Sequence, residues 1–528
     1  MTDNIDKIIA SGTSVTNDAD NDKILLATIS GLQTTVDNLN ATIRDLRKTI
    51  EHLTDKTDKQ TDELSRLNDE IKKRDQLITE LMAQINRNSK NSSKPSSTDG
   101  YRKPSPKASS VNRGSHGKKQ NGGQPGHEGT TMKVSSNPDE RINVIPNSCL
   151  CCPHASECEA LRNSSTLQTR DQIHLQIHML HRQYCQKEVV CPLNKEVMRG
   201  EFPEDVSAPF TYSSSVKAFV TALSTFGMVS FSRIKELMSG LGVSMSEGTI
   251  ANILHSVGEL SSRKREELKS YLLNQPVIHV DETGMREKGK LHWVHTASTD
   301  RVTCLMTSSK RGKKGMDEIG FLPAYHGIAV HDRLQAYFDE GFDFENAVCN
   351  AHIDRDLQGI KENYHQRWPV RMQKLLKDML HDVNAAKKAG LARLEDSDID
   401  EFSKRYDDII EAGLKRNPFK MIQTPGKRGR KKRHPARNLL ESLKAHKDAV
   451  LRFIKDFRIP FSNNIAERSF RMAKVKNKVA GTFRKEGGID DFIATYSIID
   501  TCRKNGLNAF STLIDLIEGR DILSFLNA

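Results

Sequence analysis

The sequence predicts an α/β protein in which a long N-terminal helix, a small cysteine-rich module and a helical segment precede a mixed sheet. Three patterns support this fold class. Apolar residues recur every seven positions near the N-terminus, five cysteines cluster between residues 149 and 185, and short apolar strands alternate with helical stretches in the second half. With 528 residues, the chain is long enough for several domains and at least one sizeable core.

The composition indicates a polyanionic partner and a reducing compartment. The net charge is +12, and a basic balance of this size favours nucleic acid or an anionic membrane surface as partner. The membrane alternative is weak, because the mean hydropathy is −0.58 and no run of about 18 apolar residues occurs. The N-terminus has no basic region followed by an apolar stretch, and nine cysteines are too few for a disulfide scaffold. We therefore expect a cytoplasmic protein without a membrane partner.

Residues 23–86 follow a polar N-terminus (1–22) that we expect to be disordered, and they carry a heptad repeat. β-Branched residues prevail at one core position, which holds Ile29, Val36, Ile43, Ile50, Thr57, Leu64, Ile71, Ile78 and Ile85. Leucine prevails at the other, which holds Leu25, Leu32, Leu39, Leu46, Leu53, Gln60, Leu67, Arg74 and Leu81. This distribution predicts a parallel two-stranded coiled coil and hence a homodimer. A long helix packed on its own protein is the alternative.

The next segment, 87–132, is predicted to be a flexible basic linker. It is rich in Ser, Gly, Pro, Asn and Lys, and residues 86–130 contain nine Lys or Arg but only two acids, Asp99 and Glu128. Such a composition cannot form a core, and its charge suits a path along DNA phosphates. A plain spacer is the alternative.

Residues 133–205 form a cysteine-rich module for which we predict a Zn²⁺ site. Cys149 and Cys152 have the spacing of a zinc knuckle, and Cys185 and Cys191 form a second, looser pair. Four thiolates from two such turns could hold together a module that is too poor in apolar residues to fold alone. Other side chains compete as ligands, namely Cys151, His154, Cys158 and His181. A module of unligated thiols is the alternative.

Residues 206–272 are predicted to be helical, with helix-turn-helix spacing. Two amphipathic stretches flank the turn "GVSMSEGT", in which Gly242 ends the first helix and Ser246 caps the second. This spacing would set the second helix into a DNA major groove. A generic helical hairpin fits the spacing equally well.

The second half of the chain begins with short apolar strands. Residues 276–283, 291–299 and 301–309 are rich in alternating β-branched residues, and "GIAVHD" (327–332) is a further strand. The stretch "ENAVCNAHIDRDLQGI" then runs from a strand into a helix. Three antiparallel strands followed by strand–helix alternation predict a mixed α/β sheet.

Two aspartates mark the strand ends of this sheet. Asp281 ends the first strand and Asp332 ends the fourth, where open α/β sheets gather their functional groups. Two carboxylates brought together there would repel unless a cation such as Mg²⁺ lay between them. Turn capping by each aspartate is the alternative. A third acid, Glu467, stands alone in a basic segment, where it is either a ligand or part of a capping box with Asn464.

Four motifs now resemble a known family. They are "HVDETG" (279–284), "VHDRLQAY" (330–337), "CNAHIDRDL" (349–357) and "FSNNIAERSFRMAKVKNKVAGTFR" (461–484). Together, in this order, they resemble transposases of the insertion-sequence 66 family. The resemblance implies an RNase H-like core in two parts, 273–364 and 458–528, separated by a helical insertion at 365–457. It also implies an Asp-Asp-Glu triad of Asp281, Asp332 and Glu467, which would hold Mg²⁺ or Mn²⁺.

Basic residues beside the triad are expected to bind DNA. In the helix predicted around Glu467, spacing places several of them on the same face as the acid, and the set comprises Arg468, Arg471, Lys474, Lys478 and Arg484. A second set lies in an arm at 426–437, which has seven Lys or Arg and no acid, and comprises Arg428, Arg430, Lys431 and Lys432. The arm resembles those that enter the minor groove. A solvated charged loop is its alternative.

The sequence therefore predicts a dimeric DNA transposase that hydrolyses a phosphodiester bond at element ends and joins the 3′-hydroxyl to target DNA. Companion proteins of the same element are further expected partners. Two other functions remain open. A non-catalytic DNA-binding regulator would need no acid triad, and a structure-specific nuclease on the same fold would cut DNA without joining it.

Overall fold

The computed structural model describes residues 18–88, 90–92, 137–175, 177–419, 421–422 and 432–526. Contacts divide the chain into two units, residues 1–87 and 88–528, and each is considered by itself. Most of the predicted N-terminal disorder (1–17) and most of the predicted linker (93–132) lie outside the described residues. Among the described helices, none combines the length and the apolar character that a membrane span requires.

The first unit is one helix, α1 (Asp18–Ile85), of 68 residues. At 1.5 Å per residue it is about 100 Å long. It contains nearly all of the predicted coiled-coil segment, 23–86. Its heptad core positions are exposed, with Ile29 at 48% and Leu39 at 57% of full exposure. The helix is as predicted, and its pairing with a second copy stays a prediction.

Residues 137–213 form a segment without a core of its own. The regular elements are short, namely α2 (Asn147–Leu150), a 3₁₀ turn (Ala155–Glu157), α3 (Glu159–Arg162), β1 (Glu188–Val190) and β2 (Val197–Arg199). Strands β1 and β2 pair as an antiparallel hairpin. No described side chain of this segment is buried. A segment of this kind needs a further source of stability, such as a metal ion.

The four predicted zinc ligands are free thiols in this segment. Cys149 and Cys191 are half-buried, whereas Cys152 and Cys185 are exposed. Backbone hydrogen bonds from Asn194 and Leu193 lower the pKa of the Cys191 thiol, as suits a metal ligand. Within the described ranges, no three of these sulfur atoms lie within 4.8 Å of one another. Zinc binding by this module therefore stays a prediction.

Residues 214–273 are helical, as expected. They comprise α4 (Ser214–Thr221), a π-helical turn (Ala222–Phe226), α5 (Phe231–Gly240) and α6 (Glu247–Leu273). Gly242 adopts a left-handed φ of 84°, and the Ser246 hydroxyl accepts a hydrogen bond from the Thr249 N–H at 3.0 Å. The predicted turn and cap are therefore present. Helix α6 also packs on the sheet through Leu268 and Leu272, and its insertion into a DNA groove stays a prediction.

The central sheet has five strands. They are β3 (Val277–Glu287), β4 (Lys290–Ser298), β5 (Thr303–Ser308), β6 (Ile328–His331) and β7 (Glu345–Val348), in the spatial order β5-β4-β3-β6-β7. Strands β3, β4 and β5 are antiparallel, because short turns join them. The connection from β5 passes through α7 (Lys313–Ile319), after which β6 lies parallel to β3 and β7 parallel to β6. The predicted mixed α/β class is therefore confirmed.

Strand β3 is longer than predicted. It runs to Glu287, so Asp281 lies within the strand and the predicted strand end was wrong. The parallel pairing with β6 ends at His279, whereas the antiparallel pairing with β4 continues to Glu287. Lys288 and Gly289, both with positive φ, close the hairpin. Asp281 is therefore at the end of the parallel ladder, even though the strand continues.

A helical insertion follows β7. It comprises α8 (Asn350–Tyr364), α9 (Trp368–Lys388), α10 (Asp396–Arg416), α11 (Pro435–Ala445) and α12 (Lys447–Lys455). These helices pack around an apolar core that they share with β6 and β7, and it includes Trp368, Met379, Tyr406 and Leu443. Two short strands, β8 (Met421–Ile422) and β9 (Lys432–Arg433), flank the basic arm, and residues 423–431 lie outside the described residues.

Three helices complete the fold, namely α13 (Asn464–Ala480), α14 (Gly488–Lys504) and α15 (Ala509–Ile517). Helix α14 covers the edge strand β5. The backbone N–H groups of Thr303 and Leu305 donate to the hydroxyls of Thr501 (3.0 Å) and Ser497 (2.9 Å). The edge of the sheet is thus capped by side chains, which prevents pairing with another strand.

We predict that residues 24–86 alone form a parallel dimer, because leucine and β-branched residues alternate along one exposed stripe. Replacing Leu39 and Leu46 by Asp should yield a monomer at micromolar concentration. The matched control replaces Ala41 and Lys48 by Asp, on the opposite face, and should stay dimeric. Sedimentation measures both. A monomeric unsubstituted fragment, or equal effects of both double variants, would contradict the coiled coil.

We also predict that the purified full chain carries zinc bound by the cysteine-rich module. The Cys149→Ser/Cys152→Ser double variant should lose about one equivalent of Zn²⁺ by elemental analysis, since one site needs all of its thiolates. Cys502→Ser, at a buried cysteine far along the chain, serves as control and should lose none. Equal zinc contents in the double variant and the wild type would contradict this assignment.

Candidate active site

Asp281 lies in β3 and Asp332 directly follows β6, each two residues beyond the last pair that joins these parallel strands. His279 of β3 pairs with Val330 of β6, and two further residues along each strand bring Asp281 beside Asp332. Neighbouring strands are about 4.8 Å apart, and residues in register on parallel strands face the same side. The register, together with the effect of the Asp332 charge on Asp281, indicates that the two carboxylates are close, and their common site stays a prediction.

The pKa of Asp281 responds to the charges of the other two acids. Burial raises the pKa of Asp281 to about 7, with further contributions from the negative charges of Asp332 and, to a smaller extent, Glu467. The ammonium group of Lys474 and the backbone N–H of Glu282 oppose this rise. That N–H donates to Asp281 Oδ1 at 2.8 Å. The three predicted ligands therefore share one electrostatic environment.

The pKa of Asp332 is also raised, chiefly by burial. The Leu334 N–H donates to its carboxylate at 3.1 Å and opposes this shift. A fourth acid, Glu282, raises the pKa of Asp332 further and is itself paired with Arg311. The Arg311 guanidinium lies 4.7 Å from the ring centroid of Trp293. The sequence analysis did not assign Glu282 or Arg311 a role, although the run "DET" offered a signal.

Arg333, directly after Asp332, has an unusual backbone. Its φ of 73° is positive, which is strained for a residue with a side chain. In this conformation its N–H donates to His331 Nδ1 at 3.1 Å, and its guanidinium donates to Asp356 at 2.8 Å. The positive charge of Arg333 lowers the pKa of Asp332. The strain therefore accompanies a cation held beside the second aspartate.

Glu467 lies in the first turn of α13, as the sequence predicts. Its Oε1 is buried and has no hydrogen-bond partner, and it lies 3.6 Å from His352 Nε2. The carboxylate makes no capping bond among the described contacts, so the capping-box alternative with Asn464 is not observed. An unpartnered buried carboxylate oxygen is costly unless a cation satisfies it.

Asn463 occupies the N-cap position, but its side chain braces the sheet. Its amide donates to the Val280 carbonyl at 2.8 Å, and its Oδ1 lies 2.8 Å from His279 Nδ1. Its backbone N–H donates to Cys349 Sγ at 3.1 Å. One buried asparagine thus joins β3, the start of α8 and the start of α13. Sequence reasoning missed this brace.

Glu467 is one of three potential metal ligands that lie close together. The ligand atoms of Cys349, His352 and Glu467 all lie within 4.8 Å of one another, and no other such group occurs in the part of the chain that the structure describes. Burial lowers the pKa of His352 to about 4, so its imidazole is neutral. The Cys-x-x-His spacing on one helix turn was the available signal, and the sequence analysis gave it no role.

The basic residues of α13 differ in exposure. Arg468, Arg471 and Lys478 are exposed, as is Arg484 beyond the helix, whereas Lys474 is half-buried and close enough to Asp281 to lower its pKa. Of the predicted arm, Arg428, Arg430 and Lys431 lie outside the described residues, and only the backbone of Lys432 is described.

Lys476 belongs to the same basic segment but points inward. It is 6% exposed, and its ammonium donates to the carbonyl and hydroxyl of Ser224, at 2.8 and 3.0 Å. Burial lowers its pKa to about 8. This lysine therefore ties α13 to the π-helical turn instead of facing DNA.

The comparisons with known proteins identify a family for the part of the chain that contains this site. Residues 210–491 match the model of a protein family described as Transposase IS66 family, and this range contains the sheet, the helical insertion and all three acids. Residues 25–133 match a family of unknown function, DUF6444. No curated protein matches the chain. Because the first match spans just over half of its residues, the chain belongs to the IS66 family of transposases.

Proposed function

We propose that the chain is a DNA transposase that hydrolyses a phosphodiester bond at element ends and then joins the freed 3′-hydroxyl to target DNA. The observation that carries this proposal is the convergence of three carboxylates from distant segments. Asp281 comes from β3, Asp332 follows β6, and Glu467 lies in the first turn of α13. The negative charges of Asp332 and Glu467 both raise the pKa of Asp281, which supports a common site.

The strand arrangement supports an RNase H-like core for this site. Three antiparallel strands are followed by two parallel strands, with the first strand at the centre. Asp281 and Asp332 then fall on the central pair, and the helical insertion separates them in sequence from Glu467. This is the arrangement that the family resemblance implies for an Asp-Asp-Glu triad.

The donor set fits Mg²⁺ or Mn²⁺. All three groups offer carboxylate oxygens, which these hard cations prefer. Glu467 Oε1 has no hydrogen-bond partner, and the negative charge of Asp332 raises the pKa of Asp281. A bound cation would pair with the free oxygen and reduce the repulsion between the aspartates. When bound, two such ions would activate a water or a 3′-hydroxyl and stabilise the leaving oxygen.

The chain's own residues would position the DNA. Lys474 places a positive charge beside Asp281, where a scissile phosphate would lie. Arg471 and Lys478 extend this charge along the exposed face of α13 and are suited to contact phosphates. The Asn463 brace holds the first turn of α13 against β3, so that Glu467 keeps its place relative to Asp281.

The remaining parts of the chain are proposed to assemble the complex. Helix α1 would pair with a second copy, and the cysteine-rich module and the helices α5 and α6 would contact DNA outside the active site. Companion proteins encoded by the same element are proposed as further partners. A soluble, cytoplasmic location follows from this proposal.

We predict that Asp281→Asn, Asp332→Asn and Glu467→Gln each abolish cleavage and joining while DNA binding persists. Each change removes a charged ligand without altering size, and the loss should be at least about 100-fold, as when one preorganised electrostatic contact is removed. Cleavage and joining of labelled element-end DNA with Mg²⁺ measure the first effect, and a mobility shift measures the second.

Glu486→Gln is the matched control, because this carboxylate is 83% exposed and pairs only with Lys288 at the surface. It should keep its activity. If Glu467→Gln stays within a few-fold of the wild type, the carboxylate is not a ligand. If the wild type cuts but never joins strands, the chain is a nuclease. If it binds DNA and does neither, it is a regulator.

We predict that the basic residues of α13 and those of the arm have different effects. Arg471→Gln or Lys474→Gln should slow cleavage of DNA that is already bound, because misplacing the phosphate by about an ångström can cost about 100-fold. The Lys431→Gln/Lys432→Gln variant should instead weaken binding, with the slope of log affinity against log salt falling by about 0.9 per lost contact.

Single-turnover cleavage at saturating protein separates these effects, since binding then no longer limits the rate. The arm variant should cleave at nearly the wild-type rate under this condition. If the arm variant loses this rate while the Arg471 variant keeps it, the arm, and not α13, lies beside the active site.

A further inference from the structure

Glu467 also belongs to a second set of potential ligand atoms, which differs from the aspartates in its chemistry. Cys349 Sγ, a nitrogen of His352 and an oxygen of Glu467 lie within 4.8 Å of one another. Two of these residues have unsatisfied polar atoms, because Glu467 Oε1 and His352 Nδ1 are buried without a hydrogen-bond partner. Such atoms are rare in native proteins, and a bound ion is one of their common explanations.

Burial raises the pKa of the Cys349 thiol to about 11, so the thiol keeps its proton until a metal ion replaces it. Neighbouring groups offset part of this cost once the sulfur is a metal-bound thiolate. Cys349 is the N-cap residue of α8, where the helix dipole stabilises negative charge. The Asn463 N–H donates to its sulfur at 3.1 Å, and a hydrogen bond from the His352 backbone also favours the charged form. Donors aimed at the sulfur are the kind of outer contact that orients a metal ligand.

We propose that Cys349, His352 and Glu467 form a binding site for a thiophilic divalent ion, represented by Zn²⁺. The site needs no DNA chemistry and so goes beyond the proposed function. Three protein ligands leave a fourth position for water, as in zinc sites that are not closed by protein. Binding ionises the Cys349 thiol and releases its proton to solvent.

Ligand chemistry separates this site from the one formed by the aspartates. Thiolate and imidazole select Zn²⁺ and similar ions, whereas a set of carboxylates selects Mg²⁺. Glu467 belongs to both sets, since its Oε1 lies 3.6 Å from His352 Nε2 and its charge acts on Asp281. An ion at Cys349 and His352 would therefore hold the carboxylate that the catalytic site also needs.

The test uses Co²⁺ as a spectroscopic probe on the full chain, with millimolar Mg²⁺ present throughout. A cobalt–thiolate bond absorbs in the near ultraviolet, so each cysteine ligand contributes to the spectrum. The predicted module of Cys149, Cys152, Cys185 and Cys191 contributes equally to all variants and cancels in a difference spectrum. Subtracting the Cys349→Ser spectrum from that of the wild type should leave a cobalt–thiolate band, which added Zn²⁺ removes.

Two further variants complete the design. His352→Gln should weaken Co²⁺ binding at this band by at least about tenfold, because even outer partners of metal ligands contribute that much. Cys502→Ser, at another buried thiol, should leave the band unchanged. Circular dichroism verifies that each variant is folded. If Cys349→Ser does not fold, the result for His352→Gln decides the test. Identical spectra of the wild type and Cys349→Ser, or unchanged affinity in His352→Gln, would overturn the proposal, whether or not the chain cleaves DNA.

Discussion

The repulsion between two buried aspartates is the constraint on which the rest of the site depends. Two like charges about 5 Å apart repel by about 3 kcal/mol at an effective dielectric constant of 20. Burial is the largest cause of the raised pKa of both Asp281 and Asp332, and the negative charge of Asp332 adds to the rise at Asp281. Cations close to them oppose this rise. Arg333 adopts a strained φ beside Asp332, and Lys474 extends from α13 toward Asp281. A sheet with these aspartates is therefore suited to hold positive charge, whether from ions or from side chains.

The helical insertion does not disturb this site, because its two ends are joined. The Asn350 N–H donates to the Phe461 carbonyl at 3.0 Å, and the Asn463 N–H donates to Cys349 Sγ at 3.1 Å. More than a hundred residues thus leave and re-enter the sheet at one point. Once a loop is closed, additional length costs little entropy, since each doubling adds only about 0.6 kcal/mol. The apolar core of the insertion is continuous with one side of the sheet, since it includes Val330 of β6 and Val348 of β7.

The sequence predicts what depends on local patterns. Alternating β-branched residues located the strands, and the heptad repeat located α1, because side-chain periodicity alone determines which face is apolar. It did not predict the full length of β3, since "GMREKGK" has few β-branched residues and is held by pairing with β4. Nor did it distinguish Lys476 from its basic neighbours, although that lysine is buried on Ser224. The role of Asn463 was equally hidden, because its partners lie more than a hundred residues away in sequence.

Helix α13 connects the chemistry to the DNA because it is fixed at both ends. Asn463 ties its first turn to β3, and Lys476 ties its last turns to the π-helical turn at Ser224. Between these anchors, Glu467 faces the aspartates while Arg471 and Lys478 face solvent. A helix held in this way cannot slide or rotate when a phosphate backbone binds to its exposed face. In the proposed complex, contacts to DNA along α13 would therefore set the distance between the bound phosphate and the carboxylates, which would couple binding to the geometry of the reaction.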